Sequence, residues 1–147
     1  MLENRLSVRL SNIWEKLAEL NPPPMFAQFN IAPISDIWQQ CATLKIEPNI
    51  GDGNYCFTLD FIGDVAKKLL PNITQGQRIT TKSMNMQLKK YLGDIAGVIT
   101  ECKTLLNSGT IVGQNNKIVK YRTCLLPFTD KNAQVVYIVV GFSWIEC

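Results

Sequence analysis

A chain of 147 residues, 46% hydrophobic and 18% charged, carries enough apolar material for one core and too little length for two ordinary domains. Its net charge of +3 is mild and scattered, so charge alone gives no footprint for nucleic acid. Histidine is absent, which removes Ser-His-Asp and Cys-His catalytic pairs, proximal-His haem ligation and every His-containing zinc site.

Leu6, Leu10, Ile13, Trp14, Leu17 and Leu20 recur at steps of three and four, opposite Arg5, Arg9, Asn12, Glu15, Lys16 and Glu19. This pattern predicts an amphipathic helix, stopped by Asn21-Pro22-Pro23-Pro24, with the triple proline as a stiff extended connector. A second, short helix is predicted from Pro33 to Cys41, with Ile34, Ile37, Trp38 and Cys41 on one face. The period then changes. Residues Ala42–Glu47 and the alternating run Tyr55, Phe57, Leu59, Phe61 read as a hairpin around the turn Gly51-Asp52-Gly53-Asn54. Gly63 breaks the second strand, Asp64–Leu70 is a short helical segment, and Asn72–Lys82 reads as a loop.

A continuous stripe of Leu88, Tyr91, Leu92, Ile95, Val98, Ile99, Cys102, Leu105 and Leu106 predicts one long helix over Met84–Leu106, capped by Ser83 and stopped at Asn107-Ser108-Gly109. Gly93 and Gly97 fall inside it, either as close-packing positions or as tolerated surface glycines. Thr110–Gln114 pairs with Lys117–Pro127 across an Asn115-Asn116 turn, and Gln134–Glu146 is the last strand. Both faces of that last strand are apolar, so it is expected to be central or covered on both sides.

The five cysteines, Cys41, Cys56, Cys102, Cys124 and Cys147, form no CxxC pair, so neither a structural zinc site nor a redox motif is expected, and no metal ligand set is assigned. Cys41, Cys102 and Cys124 lie in apolar patterns and read as small buried hydrophobes, while Cys147 is terminal and exposed. Free thiols favour a reducing compartment, and the expected location is the cytoplasm. The opening residues Met1-Leu2-Glu3-Asn4-Arg5 lead into no apolar signal region, and the run Val135–Phe142 is too short for a membrane helix, so no membrane role is expected.

The order of helix, short helix, hairpin, short helix, long helix and three antiparallel strands resembles the PAS fold. So do particular segments. Tyr55-Cys56-Phe57-Thr58-Leu59-Asp60-Phe61-Ile62-Gly63 is similar to the aromatic strand ending in glycine that precedes the short helices in a group of small, stand-alone bacterial PAS-like proteins. Gly76 falls where that group often has a glycine. Tyr121-Arg122-Thr123-Cys124-Leu125-Leu126-Pro127-Phe128 resembles its "Y-R-x-x-x-L-P-L" strand, with Phe128 in place of a smaller residue, and Val139-Val140-Gly141-Phe142-Ser143-Trp144 resembles its closing strand. Trp14 on the leading helix also suits the group, and the likeness runs from about Ile13 to Trp144. It implies an α+β fold: a five-stranded antiparallel sheet with helices on one face and an amphipathic N-terminal helix. Residues 1–24 would form the helix and connector, and residues 25–147 the PAS-like domain.

What the resemblance implies for function is a sensory or regulatory module that binds a small ligand or a partner protein and signals in trans, without catalysis. A small apolar ligand would lie between the inner sheet face and the helices, lined by Tyr55, Phe57, Leu59, Tyr91, Ile95, Val119, Tyr121, Val139 and Gly141. The same residues would equally serve as core filling. No cofactor is assigned. Haem is disfavoured by the lack of histidine, and flavin because Cys56, in Gly53-Asn54-Tyr55-Cys56, reads as a strand residue rather than as part of a helical cysteine motif. The rival reading is a small enzyme or apolar-ligand carrier using the same helix-on-sheet cavity, for which Asp60, Tyr121 and Arg122 are the polar residues to inspect. Other carboxylates have ordinary uses: Asp64 as a cap, Asp94 and Glu101 on a solvated face. A homodimer is expected through the N-terminal stripe Leu6, Leu10, Ile13, Trp14 and Leu17, held off its own core by the proline connector; the alternative is a monomer in which the same helix folds back and seals its own sheet.

Overall fold

The computed structural model describes residues 2–20, 22–47, 54–113 and 116–147. The Gly51-Asp52-Gly53 turn, Pro48 and Asn115 lie outside these residues. Among the described residues three helices, α1 (Leu2–Leu20), α2 (Met86–Leu92) and α3 (Ile95–Glu101), accompany six strands: β1 (Cys41–Ile46), β2 (Cys56–Ile62), β3 (Arg78–Thr80), β4 (Leu105–Val112), β5 (Ile118–Thr129) and β6 (Val135–Glu146). All strand pairs are antiparallel, in the order β3-β2-β1-β6-β5-β4. The fold is therefore α+β, built on one antiparallel sheet. No helix among the described residues is long and apolar enough to cross a membrane.

The last strand is central, as its two apolar faces require, with β1 on one side and β5 on the other. Alternation sends Ile138, Val140 and Phe142 to an inner face, where they meet α2, α3 and the 3-10 turn Ala66–Lys68, and sends Val139 to an outer face under α1. Each sheet face thus has its own core cluster. The N-terminal helix covers the other face: α1 folds back on the outer face of its own sheet, with Leu6 and Leu10 fully buried there and Ile13, Trp14 and Leu17 half-buried.

Polar contacts fix that seating. Trp14 Nε1 donates to the carbonyl of Pro127 at 2.6 Å. Arg9 donates to both carboxylate oxygens of Asp36 at 2.7 Å and to the carbonyl of Pro33 at 2.9 Å. The proline connector does not hold the helix away. It runs back along the sheet, where the Pro24 carbonyl accepts from Thr129 N and Oγ1 at 2.9 and 3.1 Å. The Pro33–Cys41 segment is two 3-10 turns, Ala32–Ile34 and Trp38–Gln40, rather than one helix, yet Ile34, Ile37, Trp38 and Cys41 share the outer core as their spacing predicts.

Three further departures have local causes. In the β1–β2 hairpin, Thr43 pairs with Phe61 and Leu44 with Leu59, so Asp60 is the extra residue of a β-bulge. The bulge reverses the alternation: Phe57 and Leu59 face the inner core, while Phe61 turns outward and stacks on Trp38 at 5.1 Å. The segment Asn72–Lys82 contributes the edge strand β3, which pairs with β2 and brings the sheet to six strands rather than five. The long helix over Met84–Leu106 is two short ones. Asn85, not Ser83, caps α2 by accepting from Leu88 N at 2.8 Å; Gly93 ends it at φ 58°, and Asp94 caps α3 by accepting from Gly97 N at 3.1 Å. Leu105 and Leu106, the supposed last turn, begin β4.

Candidate functional site

The break after α2 positions the site. A helix end leaves carbonyls unsatisfied, and here the sheet supplies donors for them. Asn107 Nδ2 and the Tyr121 hydroxyl donate to the Lys90 carbonyl at 2.6 and 3.2 Å, and the Thr123 hydroxyl donates to the Tyr91 carbonyl at 2.6 Å. Asn107 sits on β4, and Tyr121 and Thr123 on β5, so α2 is tied across two strands. Tyr91 is fully buried and meets Tyr121 and Phe142 edge-on, with ring centroids 4.9 and 6.1 Å away. Its hydroxyl accepts from Gln87 Nε2 at 3.3 Å, and burial pushes its pKa up. Burial also raises that of Tyr121.

Beside this anchor, a groove of about 670 Å³ opens between α2, the Lys68–Asn72 segment and the ends of β4, β5 and β6. Ile111, Val119, Tyr91 and Trp144 give it an apolar lining, extended by Met86, and Val112 borders it at the end of β4. Lys68, Lys90 and Lys117 contribute cations. Lys117 Nζ lies 3.7 Å from Glu146 Oε2, whereas Lys68 and Lys90 have no acidic partner among the described residues.

Two of the nine expected lining residues, Tyr91 and Val119, border this groove. Phe57, Leu59, Ile95 and Tyr121 instead fill the inner core, and Tyr55 is buried without joining that cluster. Val139 and Gly141 belong to the other face: Val139 packs in the outer cluster, and Gly141 faces Leu6 and Leu10 of α1. With both faces of β6 apolar, alternation gives two interchangeable sets and cannot orient them. Sequence reasoning missed Lys68, Gln87, Lys90, Lys117 and Trp144 at the groove. The lysine pairs Lys67-Lys68 and Lys89-Lys90 are visible in the chain, but only the packing of α2 brings one member of each to the same opening.

The polar residues of the rival enzyme reading are not brought together. Tyr121 is buried on the inner face, the adjacent Arg122 is exposed on the opposite one, and exposed Asp60 lies on β2, separated from β5 by β1 and β6. Cys56 starts β2, as expected; desolvation and the adjacent Glu47 raise its pKa. Cys41 and Cys124 are fully buried, and burial pushes their thiols to about 12 and about 11. Among the described residues no group of three or more Cys, Asp or Glu could hold a metal ion. No family model matches the chain, and no curated protein matches it.

Proposed function

We propose that the chain is a PAS-like sensory or regulatory module that binds a small amphipathic anion in the groove beside α2 and has no catalytic role. The observation that carries this reading is the groove itself: apolar surface from Met86, Ile111 and Trp144 over the buried Tyr91 and Val119, with two lysines, Lys68 and Lys90, that lack acidic partners among the described residues. Small-molecule sites combine apolar surface with a few convergent polar groups, and this open groove of mixed polar and apolar lining offers both. An anionic head would pair with the lysines while its apolar body covers the floor.

The fold is compatible with the PAS resemblance. With β3 set aside, five antiparallel strands remain, and α2, α3 and the Ala66–Lys68 turn lie on one face of them. Signal would leave through α2, whose last carbonyls are tied to β4 and β5, so a ligand drawing on Lys90 bears directly on that junction. The two buried thiols suit a reducing compartment, and the cytoplasm is the proposed location.

Native mass spectrometry of protein purified from its own host, together with fluorescence titration of 8-anilinonaphthalene-1-sulfonate, tests the reading. A retained acidic small molecule, or probe binding weakened at least tenfold in K68E/K90E, supports it. A chain that retains nothing and binds the probe equally well with and without the two lysines overturns it.

A further inference from the structure

One edge of the sheet, β4, carries none of the features that usually keep an edge strand from pairing. β4 hydrogen-bonds β5 on one side and is the terminal strand of the sheet on the other. Natural edge strands are usually blunted by a charge, a proline, a bulge or shortness. The opposite edge follows that rule: β3 has three residues and carries Arg78. β4 does not. It runs for eight residues, Leu-Leu-Asn-Ser-Gly-Thr-Ile-Val, with no charged residue, no proline and no register shift against β5.

The phase of the ladder decides which groups point outward. Gly113 N donates to the Lys117 carbonyl at 2.7 Å, and bonded and unbonded pairs alternate along an antiparallel ladder. Residues 105, 107, 109 and 111 therefore direct their main-chain groups to β5. Leu106, Ser108, Thr110 and Val112 direct theirs to the open edge. The side chains of these same four residues are exposed on the outer face, Leu106 at 66% and Val112 at 69%.

We propose that two copies of the chain dimerise by antiparallel pairing of β4 with β4, on a two-fold axis at Gly109. In this register Leu106 lies opposite the partner's Val112 and Ser108 opposite the partner's Thr110, so apolar meets apolar and hydroxyl meets hydroxyl across the seam. All four outward-pointing residues fall in hydrogen-bonded pairs. Shifting the axis to Ser108 or Thr110 sets Leu106 against Thr110, or Val112 against Ser108, and shortens the ladder. The pattern Leu-x-Ser-x-Thr-x-Val is thus self-complementary about its centre, as an isologous interface requires. Exposed Val8 of α1 borders the same depression as Leu106, so the N-terminal helix adjoins the seam at its edge rather than forming it.

Sedimentation equilibrium of the full chain at tens of micromolar tests the register, on the order of concentrations where such dimers are populated. The parent is expected to be dimeric, L106K/V112K monomeric, and L106K/V112E dimeric again, because each new lysine then faces a glutamate of the other copy. Hydrogen exchange supplies a second reading that needs no substitution: the amides of Leu106, Ser108, Thr110 and Val112 should be protected at high concentration and lose that protection on dilution. A monomeric parent, a dimer that survives L106K/V112K, or four amides that exchange at the same rate at every concentration would overturn the proposal.

Discussion

Gly141 and Leu10 compete for one position: a Cβ built on Gly141 would run into Leu10 Cδ1, with Leu6 beside it. The neighbours of Gly141 across the sheet are Cys41 on β1 and Cys124 on β5, so a row of small residues crosses three strands. That row lets α1 settle onto the sheet, and Leu10 fills it completely. The N-terminal stripe is therefore matched to a depression in its own domain.

Overpacking a well-filled core typically costs about 1–3 kcal/mol, and truncating a buried leucine about 2–5. Gly141→Val should destabilise the fold within the first range and Leu10→Ala within the second. The double variant should lose less than the two together, by at least about 0.5 kcal/mol, since removing the leucine makes room for the valine. Urea denaturation of the four proteins measures this. Strict additivity would show that the two residues do not share the space.

Ile95 opens α3 and is buried in the inner core. Ile95→Asp would bury a charge with no partner, and the domain should not fold. Ile95→Val removes one methyl group and should cost only about 0.5–1.5 kcal/mol. Circular dichroism melts of both variants check the contrast; an aspartate variant that melts within a degree or two of the parent would contradict the packing.

Most of the sheet was legible because strand patterns are local. Tyr55 to Leu59 alternate cleanly, and the apolar run of β6 demands cover on both faces. What was not legible depends on events between segments. The Asp60 bulge moves Phe61 to the other face, and no periodicity announces it. The stripe from Leu88 to Leu106 keeps a helical period through a real break, because Asn107, Tyr121 and Thr123 satisfy carbonyls that a continuing helix would have used. The groove was the least legible feature. Lys68, Lys90 and Lys117 come from a turn, a helix and a strand end, and no spacing along the chain links them.

Cys41 and Cys124 should not react with a thiol reagent in the folded protein, whereas exposed Cys147 should react at once. Because burial favours the neutral thiols, both pKa values are raised in the fold, to about 12 and about 11. Their contribution to stability is complete below the unfolded value of about 8.5 and is lost as pH rises toward the folded values. Stability should thus fall with increasing pH above 8.5, and C41A/C124A should flatten that part of the profile. Labelling of all five cysteines at one rate without denaturant would contradict the assignment.

The fork between Arg9 and Asp36 ties α1 to the segment before β1, and its pH dependence follows from its chemistry. The Arg9 guanidinium, donating to both carboxylate oxygens, holds Asp36 below the ordinary carboxylate range, and Arg9 in turn is raised. A carboxyl whose pKa is lower in the fold contributes stability above its unfolded value, about 3.9, and loses it as pH falls through the folded value. Arg9→Gln should therefore lower the melting temperature at neutral pH. The gap from the parent should narrow as pH drops below 4, where protonated Asp36 no longer distinguishes the two proteins. Salt should narrow it as well, because the pair is exposed and screened. Thermal melts of parent and variant between pH 7 and pH 2.5 measure both effects. A gap of constant size across that range would show that Arg9 acts through the Pro33 carbonyl and the packing of its stem, and not through Asp36.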